Sequence, residues 1–206
     1  PTTGSITKAA APDFTKETVL VIVNGHEKTY TVTLPALPTL ETPKEYGAPT
    51  YELGEIKLND GYYTSGAKVE NGKLTLPIQK NDVETTGSVG TVTVVIKSAN
   101  YEDITLTVNV SAKNRITPTG TPTLSKNAII YGDALNAIAL SGKLHDNVNN
   151  VDVDGTFEWV DGTHIPVVGN GTYAAEWIFE PTDTEKYLTV SGRSNITDEK
   201  ARQYGK

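Results

Sequence analysis

Gly90-Thr91-Val92-Thr93-Val94-Val95-Ile96-Lys97 and, beyond a polar corner at Asn100-Tyr101, Ile104-Thr105-Leu106-Thr107-Val108-Asn109-Val110 are the runs that decide the fold class. Val92, Val94 and Ile96 share one side of an extended chain, and Ile104, Leu106, Val108 and Val110 do so again after the corner. Apolar residues at every second position, separated by threonine and asparagine, describe strands that bury one face and wet the other. Thr, Val, Asn, Gly and Tyr are plentiful along the whole chain, a mixture that suits pleated strands joined by tight turns. The chain is therefore expected to be all-β.

The same alternation runs outward in both directions. Upstream, Val19-Leu20-Val21-Ile22-Val23 is strand-like, Asn24-Gly25 is a turn pair, and Tyr30, Val32 and Leu34 alternate with threonines. That pattern predicts a hairpin over 18–34. Pro35 and Pro38 end the ladder because proline has no N–H to donate. Around Tyr46-Gly47 and Tyr51 the sequence is irregular or edge-like, and residues 40–60 leave the strand count open. Ala67-Lys68-Val69, turning at Asn71-Gly72 into Leu74 and Leu76, predicts a second hairpin.

Downstream, Lys113 to Pro122 is polar and holds two prolines, so it cannot pair as a central strand, and a domain boundary is expected near residue 115. Beyond it, Val151, Val153, Phe157 and Trp159 are expected on one face with Asp152, Asp154, Thr156 and Glu158 on the other. Tyr173, Ala175, Trp177 and Phe179 form another stripe. Asp161-Gly162 and Asn170-Gly171 supply turns, Tyr187-Leu188-Thr189-Val190 is a last strand, and a polar tail starts at Gly192.

The chain has 206 residues, enough for one large domain or two ordinary ones. Its formal net charge of −7 opposes nucleic-acid binding, which needs a basic footprint to displace counterions, and equally opposes anionic membranes. There is no cysteine, so a disulfide framework, a thiolate metal site and a thiol nucleophile are all excluded. No apolar run approaches the length of a membrane span. Pro1-Thr2-Thr3-Gly4-Ser5 lacks the basic and apolar regions of a signal peptide, as expected of an excised piece.

An internal repeat marks the module ends. Asn100-Tyr101-Glu102-Asp103-Ile104-Thr105 leads through Val108 to Lys113, and Glu185-Lys186-Tyr187-Leu188-Thr189-Val190 leads through Asn195-Ile196-Thr197 to Lys200-Ala201. Ser5-Ile6-Thr7-Lys8-Ala9-Ala10 matches the same closing pattern. Residues 1–12 are accordingly read as the end of a preceding module and linker, 13–115 as a first module and 116–206 as a second with a polar tail.

At these residues the chain resembles the Ig-like tandem repeats of Gram-positive bacterial cell-surface, adhesin-like proteins. In the second half the resemblance rests on Ile130-Tyr131-Gly132-Asp133-Ala134-Leu135, Gly155-Thr156-Phe157-Glu158-Trp159, Pro166-Val167-Val168-Gly169 and the run from Phe179 to Tyr187. In the first half it rests on Gly61 to Ala67, Asn71 to Leu76, Gly90 to Ile96 and Ser98 to Tyr101. It implies two tandem immunoglobulin-like β-sandwich modules, with a β-grasp-like fold for one of them as the alternative. It also implies extracellular display at the cell surface or cell wall as stalk or adhesin segments without an active site. Some domains of that kind are closed by an intramolecular Lys–Asn or Lys–Asp isopeptide bond, for which no residue here is singled out.

Each candidate for chemistry has a plainer reading. Asn150-Val151-Asp152-Val153-Asp154-Gly155 with Asp161 approximates a calcium-loop spacing, but Asn stands at its first position and Asp at its twelfth, where Asp and Glu belong. A strand burying alternate valines and aromatics explains those residues better. Asp183 with Glu180 and Glu185 reads as a solvated turn. His26, His145 and His164 stand singly in loops or beside turns and lack the spacing of a metal pair or a Ser-His-Asp constellation. Gly87-Ser88-Val89-Gly90 opens a strand, so no helix N-terminus awaits a phosphate.

Trp159 and Trp177 are read as core, and of Tyr62-Tyr63 one is expected to face solvent. Asn170-Gly171-Thr172 and Asn195-Ile196-Thr197 fit the glycosylation sequon only formally. The resulting expectation is a non-enzymatic structural or adhesive spacer with no catalytic, cofactor or metal residues. Its partners would be neighbouring modules of the same chain, with a host or glycan ligand unidentified, no nucleic acid, no membrane insertion and a monomeric state. The alternative is a carbohydrate-binding module attached to a secreted glycan-active enzyme, with Tyr62, Tyr63 or Trp159 as its stacking residues.

Overall fold

A computed structural model describes residues 3–81, 83–167 and 171–200. The chain divides into two units, Pro1–Asn114 and Arg115–Lys206. In the first, the strands are β1 (Thr18–Val23), β2 (Lys28–Thr33), β3 (Thr50–Leu58), β4 (Tyr62–Thr64), β5 (Lys68–Glu70), β6 (Lys73–Asn81), β7 (Gly87–Lys97) and β8 (Ile104–Lys113). One sheet has the order β1-β8-β7-β3, and the other has β2-β6-β4 with β5 also paired to β6.

The period-two runs form the centre of this unit. β7 and β8 pair antiparallel with Val92 opposite Val108 and Val94 opposite Leu106. Val92, Val94, Ile96, Ile104, Leu106, Val108 and Val110 are all buried. Together with Leu20 and Ile22 of β1, Tyr30 of β2 and Leu74, Leu76 and Ile78 of β6, the residues Val92 and Val94 of β7 and Leu106, Val108 and Val110 of β8 make one cluster fed by both sheets. Two sheets sharing one core in this strand order are an immunoglobulin-like β-sandwich. Each aliphatic side chain withdrawn from water stabilises it by about 2 kcal/mol.

The hairpin at Asn71-Gly72 forms as expected, with Val69 opposite Leu74 and positive φ at both turn residues, 52° and 70°. The hairpin expected over 18–34 does not form. β1 pairs with β8, while β2 pairs with β6 in the opposite sheet, so Asn24-Gly25 carries the chain across the sandwich. The sequence marks the turn correctly, but a turn does not say whether its flanks share a sheet. Within 40–60, β3 is a nine-residue edge strand paired to β7, and its ladder shifts register between Leu53 and Ile56.

The second unit comprises β9 (Thr123–Leu124), β10 (Ala128–Ile130), a 3-10 turn (Leu135–Ala137), β11 (Leu140–Ser141), β12 (Leu144–Asp146), β13 (Val151–Val153), β14 (Gly155–Trp159), β15 (Thr172–Pro181) and β16 (Val190–Glu199). Its main sheet, β10-β16-β15-β14, repeats the order of the first unit's β1 sheet. The remaining strands are two short pairs, β11-β9 and β12-β13. Ala175, Trp177 and Phe179 are buried along β15, as the stripe predicts.

Two expectations fail in this unit. The segment read as a polar tail from Gly192 is most of a ten-residue strand, β16, laddered to β15 from Thr172↔Thr197 to Phe179↔Val190. Its inner face is inconspicuous because Gly192 lies beneath the Trp177 ring, where a Cβ would fall 2.3 Å from Cζ2. Val151 does not join the Val153–Trp159 stripe and is exposed. Val151 is the outermost residue of the short β12-β13 pair, opposite Asp146 beside the turn, and from Val153 to Trp159 the alternation holds across the change of partner at Asp154.

Candidate functional site

The two units close in the same way. In the first, β1 runs parallel to β8, with Val21, Ile22 and Val23 beside Ser111, Ala112 and Lys113. In the second, Ala128, Ile129 and Ile130 of β10 lie parallel beside Thr197, Asp198 and Glu199. Ahead of each, one linker residue makes an isolated parallel bridge to the tyrosine that precedes the last strand: Ala9 to Tyr101, and Ile116 to Tyr187. The bonds also correspond. Ala9 N–H donates to Asn100 O at 2.9 Å and its carbonyl accepts from Glu102 N–H at 2.8 Å; Ile116 N–H donates to Lys186 O at 2.8 Å and its carbonyl accepts from Leu188 N–H at 2.9 Å. The repeat read from the sequence covers only the closing half of this device, the tyrosine and the last strand that follows it. Ala201 lies outside the described residues.

A carboxamide network locks the exit of the first unit. Asn24, buried after β1, donates through Nδ2 to Thr85 O (2.9 Å) and Asn114 Oδ1 (2.7 Å), and its Oδ1 accepts from the Tyr62 hydroxyl (2.9 Å). Asn81 Nδ2 donates to Val23 O at 3.0 Å. Buried polar groups are tolerable only when bonded, and these bonds join the ends of β1, β6 and β8. Burial raises the Tyr62 hydroxyl pKa against the lowering effect of its bond to Asn24, so it stays protonated.

The second unit uses a carboxylate instead. Asp146, at the end of β12, is fully buried. Its Oδ1 accepts from the backbone N–H groups of Val148 (2.8 Å) and Asn149 (3.0 Å); its Oδ2 accepts from Asn149 Nδ2 (2.8 Å) and the Tyr187 hydroxyl (2.9 Å). Burial alone would raise the carboxyl pKa, but these donors outweigh it and hold the group well below the usual carboxylate range. Tyr187 is pushed up by burial and by the carboxylate it serves. A carboxylate with both oxygens so engaged is a fastener, with little left to act as a general base.

Of the residues singled out in the sequence, His145 is brought beside Asn150 and Asp152, while Asp154, Asp161 and Asp183 each take separate partners. Asp152 Oδ1 lies 3.4 Å from His145 Nδ1, Asn150 Oδ1 lies 3.3 Å from His145 Nε2, and Asp154 Oδ1 is paired with Lys143 at 2.7 Å. Asp161 accepts from the Thr163 hydroxyl at 2.9 Å. Asp183 Oδ1 accepts from the N–H groups of Glu185 and Lys186, closing a turn. Among the described residues no group of three His, Asp or Glu side chains is placed to hold a metal ion.

His145 lies in β12 and not in a loop, while His164 stacks on Tyr173 with ring centroids 4.7 Å apart. His26 follows the Asn24-Gly25 turn and is half-buried. Gly87 opens β7, as read. Tyr62 is buried and Tyr63 exposed, as the alternation requires. Asn195 is exposed on β16; Asn170 lies outside the described residues.

Trp177 is buried against Phe157 and Phe179 neighbours in the core. Trp159 is half-buried, donates through Nε1 to Ile138 O at 2.9 Å, and borders a 360 Å³ cleft with Phe157, Glu158 and Asn136. A 350 Å³ cleft in the first unit is lined by Pro43, Lys44, Glu45 and Asn100 among others. The two locks at Asn24 and Asp146 escaped the sequence reading. Asn24-Gly25 registers as a turn, and His145-Asp146-Asn147 as polar loop; only their long-range partners distinguish them.

No family model matches the chain, and no curated protein matches it. Solved structures similar to it include protocadherin gamma B2 extracellular cadherin domains 3–6, 11% identical over 94% of this chain and 52% of that one, with a TM-score of 0.35. Murine CEACAM1b is 13% identical over 90% of this chain and 99% of its own, at a TM-score of 0.29. The tandem Ig repeats of Dlar are 10% identical over 95% and 97%, at 0.28. The chain spans about half the length of the protocadherin gamma B7 and B3 fragments it matches, 51% and 50%. Likeness at this level carries no functional argument, and the architecture rests on the strand orders given above. Among the described residues no helix is long and apolar enough to cross a membrane.

Proposed function

We propose that the chain is a non-enzymatic structural or adhesive spacer segment of a bacterial cell-surface protein of the Gram-positive kind, displayed outside the cell. The observation that supports this reading is the shared closing device. In each unit the first strand of the main sheet is parallel to the last, so the chain enters a unit at one end and leaves it at the other. Tension along the chain then loads the hydrogen bonds of the parallel ladder together, in shear. A ladder pulled from its open end would break one bond at a time. Segments that hold a distal domain away from a cell wall need that resistance.

Single-molecule pulling tests the reading. Stretching from the two termini should require a higher unfolding force than pulling between Gly87 and Lys113, which opens the antiparallel β7-β8 ladder from its end. Equal forces in the two geometries would remove the mechanical basis of the proposal.

The cleft beside Trp159 favours one second reading, a carbohydrate-binding module of a secreted glycan-active enzyme, because half-buried Trp159 and Phe157 present apolar ring surface next to Glu158 and Asn136. Glycan-array binding that disappears in Trp159→Ala but persists in Tyr63→Ala would move the assignment there.

A further inference from the structure

The strands at the sheet edges of the first unit are not equally defended. β3 carries Glu52, Glu55 and Lys57, with Lys57 paired to Glu55 at 2.9 Å and Lys97 to Glu52 at 3.0 Å, and its ladder is interrupted by the shift near Gly54. β4 and β5 are three residues long, and β2 starts at Lys28 and alternates with threonines. These are the usual protections of an exposed edge. β1 has none of them. It reads Thr-Val-Leu-Val-Ile-Val, without charge, glycine or proline. Leu20 and Ile22 are buried below it, yet Val19 and Val21 are 44% and 47% exposed on the outer face.

The backbone of β1 tells the same story. Asn24 N–H donates to Lys113 O of β8, whereas Val23 N–H and C=O are directed away from β8, to the Tyr30 hydroxyl and Asn81 Nδ2. Parallel pairing uses alternate residues. Leu20 and Ile22 therefore turn their amide and carbonyl groups to β8, and Val19 and Val21 turn theirs outward, past the end of the sheet order.

We propose that β1 is a homotypic interface, on which β1 of a second copy of this chain pairs antiparallel across a two-fold axis through Leu20. That axis sets Val19 opposite the second copy's Val21 and the reverse, two closely bonded pairs that together exchange four N–H···O bonds. It uses every outward group of both valines and lays the four exposed valine side chains side by side. Only this parity keeps the outer faces of both copies on one side.

Charge is complementary in the same arrangement. Glu17 stands on the outer face just before β1, its carboxylate accepting from Asn109 Nδ2 at 3.3 Å. Lys113, exposed, stands beside Val23 at the other end. The two-fold brings the Glu17 end of each copy to the Lys113 end of the other. The resulting interface is isologous and closed, which limits it to a dimer. This departs from the monomer expected from the sequence.

Sedimentation velocity of the full chain over a concentration series tests it. A reversible monomer–dimer equilibrium is expected. Val19→Lys with Val21→Lys should raise the dimer dissociation constant about 100-fold, because lysine replaces the central apolar contacts on both copies. Circular dichroism, and the unfolding midpoint measured at a concentration where both proteins are monomeric, should stay unchanged, since neither side chain enters the core. Glu17→Lys should weaken the dimer, and Glu17→Lys combined with Lys113→Glu should restore it. A chain that stays monomeric at millimolar concentration, a dimer indifferent to the lysines, an aggregate that grows without limit, or an edge that takes up only an unrelated extended peptide would each overturn the proposal.

Discussion

The first unit has one continuous core, whereas the second has two. In the first, both sheets feed a single cluster from Leu20 to Ala112. In the second, Ile129, Leu135, Ile138, Ala175 and Ile196 form one cluster and Leu144, Val153, Trp177, Phe179 and Tyr187 another, with Trp159 packed against both. The polar locks differ as well, a set of carboxamides around Asn24 in one and the Asp146 carboxylate in the other. Yet the entry and exit strands correspond in kind: a parallel pair of first and last strands, six residues long in one unit and three in the other, each preceded by a bridge to the tyrosine ahead of the last strand. The lesson is that this sandwich keeps its end geometry fixed and lets the filling vary: aliphatic pairs across two full sheets, or a few large rings where the second sheet is reduced to short pairs.

Substitutions can break this comparison selectively. Both tryptophans lie in the second unit, so indole fluorescence follows that unit alone while far-ultraviolet circular dichroism follows both. The largest effect is expected for Trp177→Ala, which should cost the second unit about 4 kcal/mol by leaving a cavity beneath Phe157 and Phe179. Trp159 fluorescence would report that loss in a denaturant titration, with the first unit's transition unmoved. Asn24→Ala should cost the first unit about 2 kcal/mol, because it strips three hydrogen bonds and leaves the buried Tyr62 hydroxyl with only its longer bond to Thr85 O at 3.4 Å. Here circular dichroism should shift while the tryptophan signal stays put. A smaller loss, about 1 kcal/mol, is expected for Gly72→Ala, since position 72 has φ of 70° with nothing nearby for a Cβ to strike.

The finest difference is in pH dependence. Asp146 has its folded pKa depressed from an ordinary value of 3.8, so the stability it contributes is complete above that value and is lost as pH falls towards the lower folded value. The carboxamide lock of the first unit does not titrate. Acid should therefore erode the tryptophan-reported transition below about pH 4 more steeply than that of the first unit. In Asp146→Asn this part of the slope should vanish and the neutral-pH midpoint should fall. Equal acid slopes in the wild-type units would contradict the role given to Asp146.

Much of the fold could be read from residues, and the failures have specific causes. β7, β8, β15 and the hairpin at Asn71-Gly72 were legible because a strand with one dry face must alternate. β3 was obscured by the register shift near Gly54, after which inward and outward positions change parity. β16 was hidden because Gly192, under the Trp177 ring, and Ser194, opposite Ala175, occupy inward positions, and small or polar residues look like tail. The pairing of β1 with β8 depends on residues some ninety positions apart, and a local Asn-Gly signal is silent on it. The candidate site fared similarly. Asp161 and Asp183 were legible as turn residues, but His145 reads as loop and lies in a strand, and the buried locks depend on partners such as Tyr187, 41 residues from Asp146.

The bridges at Ala9 and Ile116 also decide where a module can be cut. Each belongs to the ladder of the unit that follows it, well before the first strand that hydropathy would mark. A recombinant second unit that started at β9 would discard Ile116 and uncover the backbone of Lys186 and Leu188. One that started a few residues ahead of Ile116 would keep that edge dressed. The same rule sets the splice point for chimaeras: units should exchange cleanly when joined just upstream of these two residues, and poorly when joined at the prolines that follow.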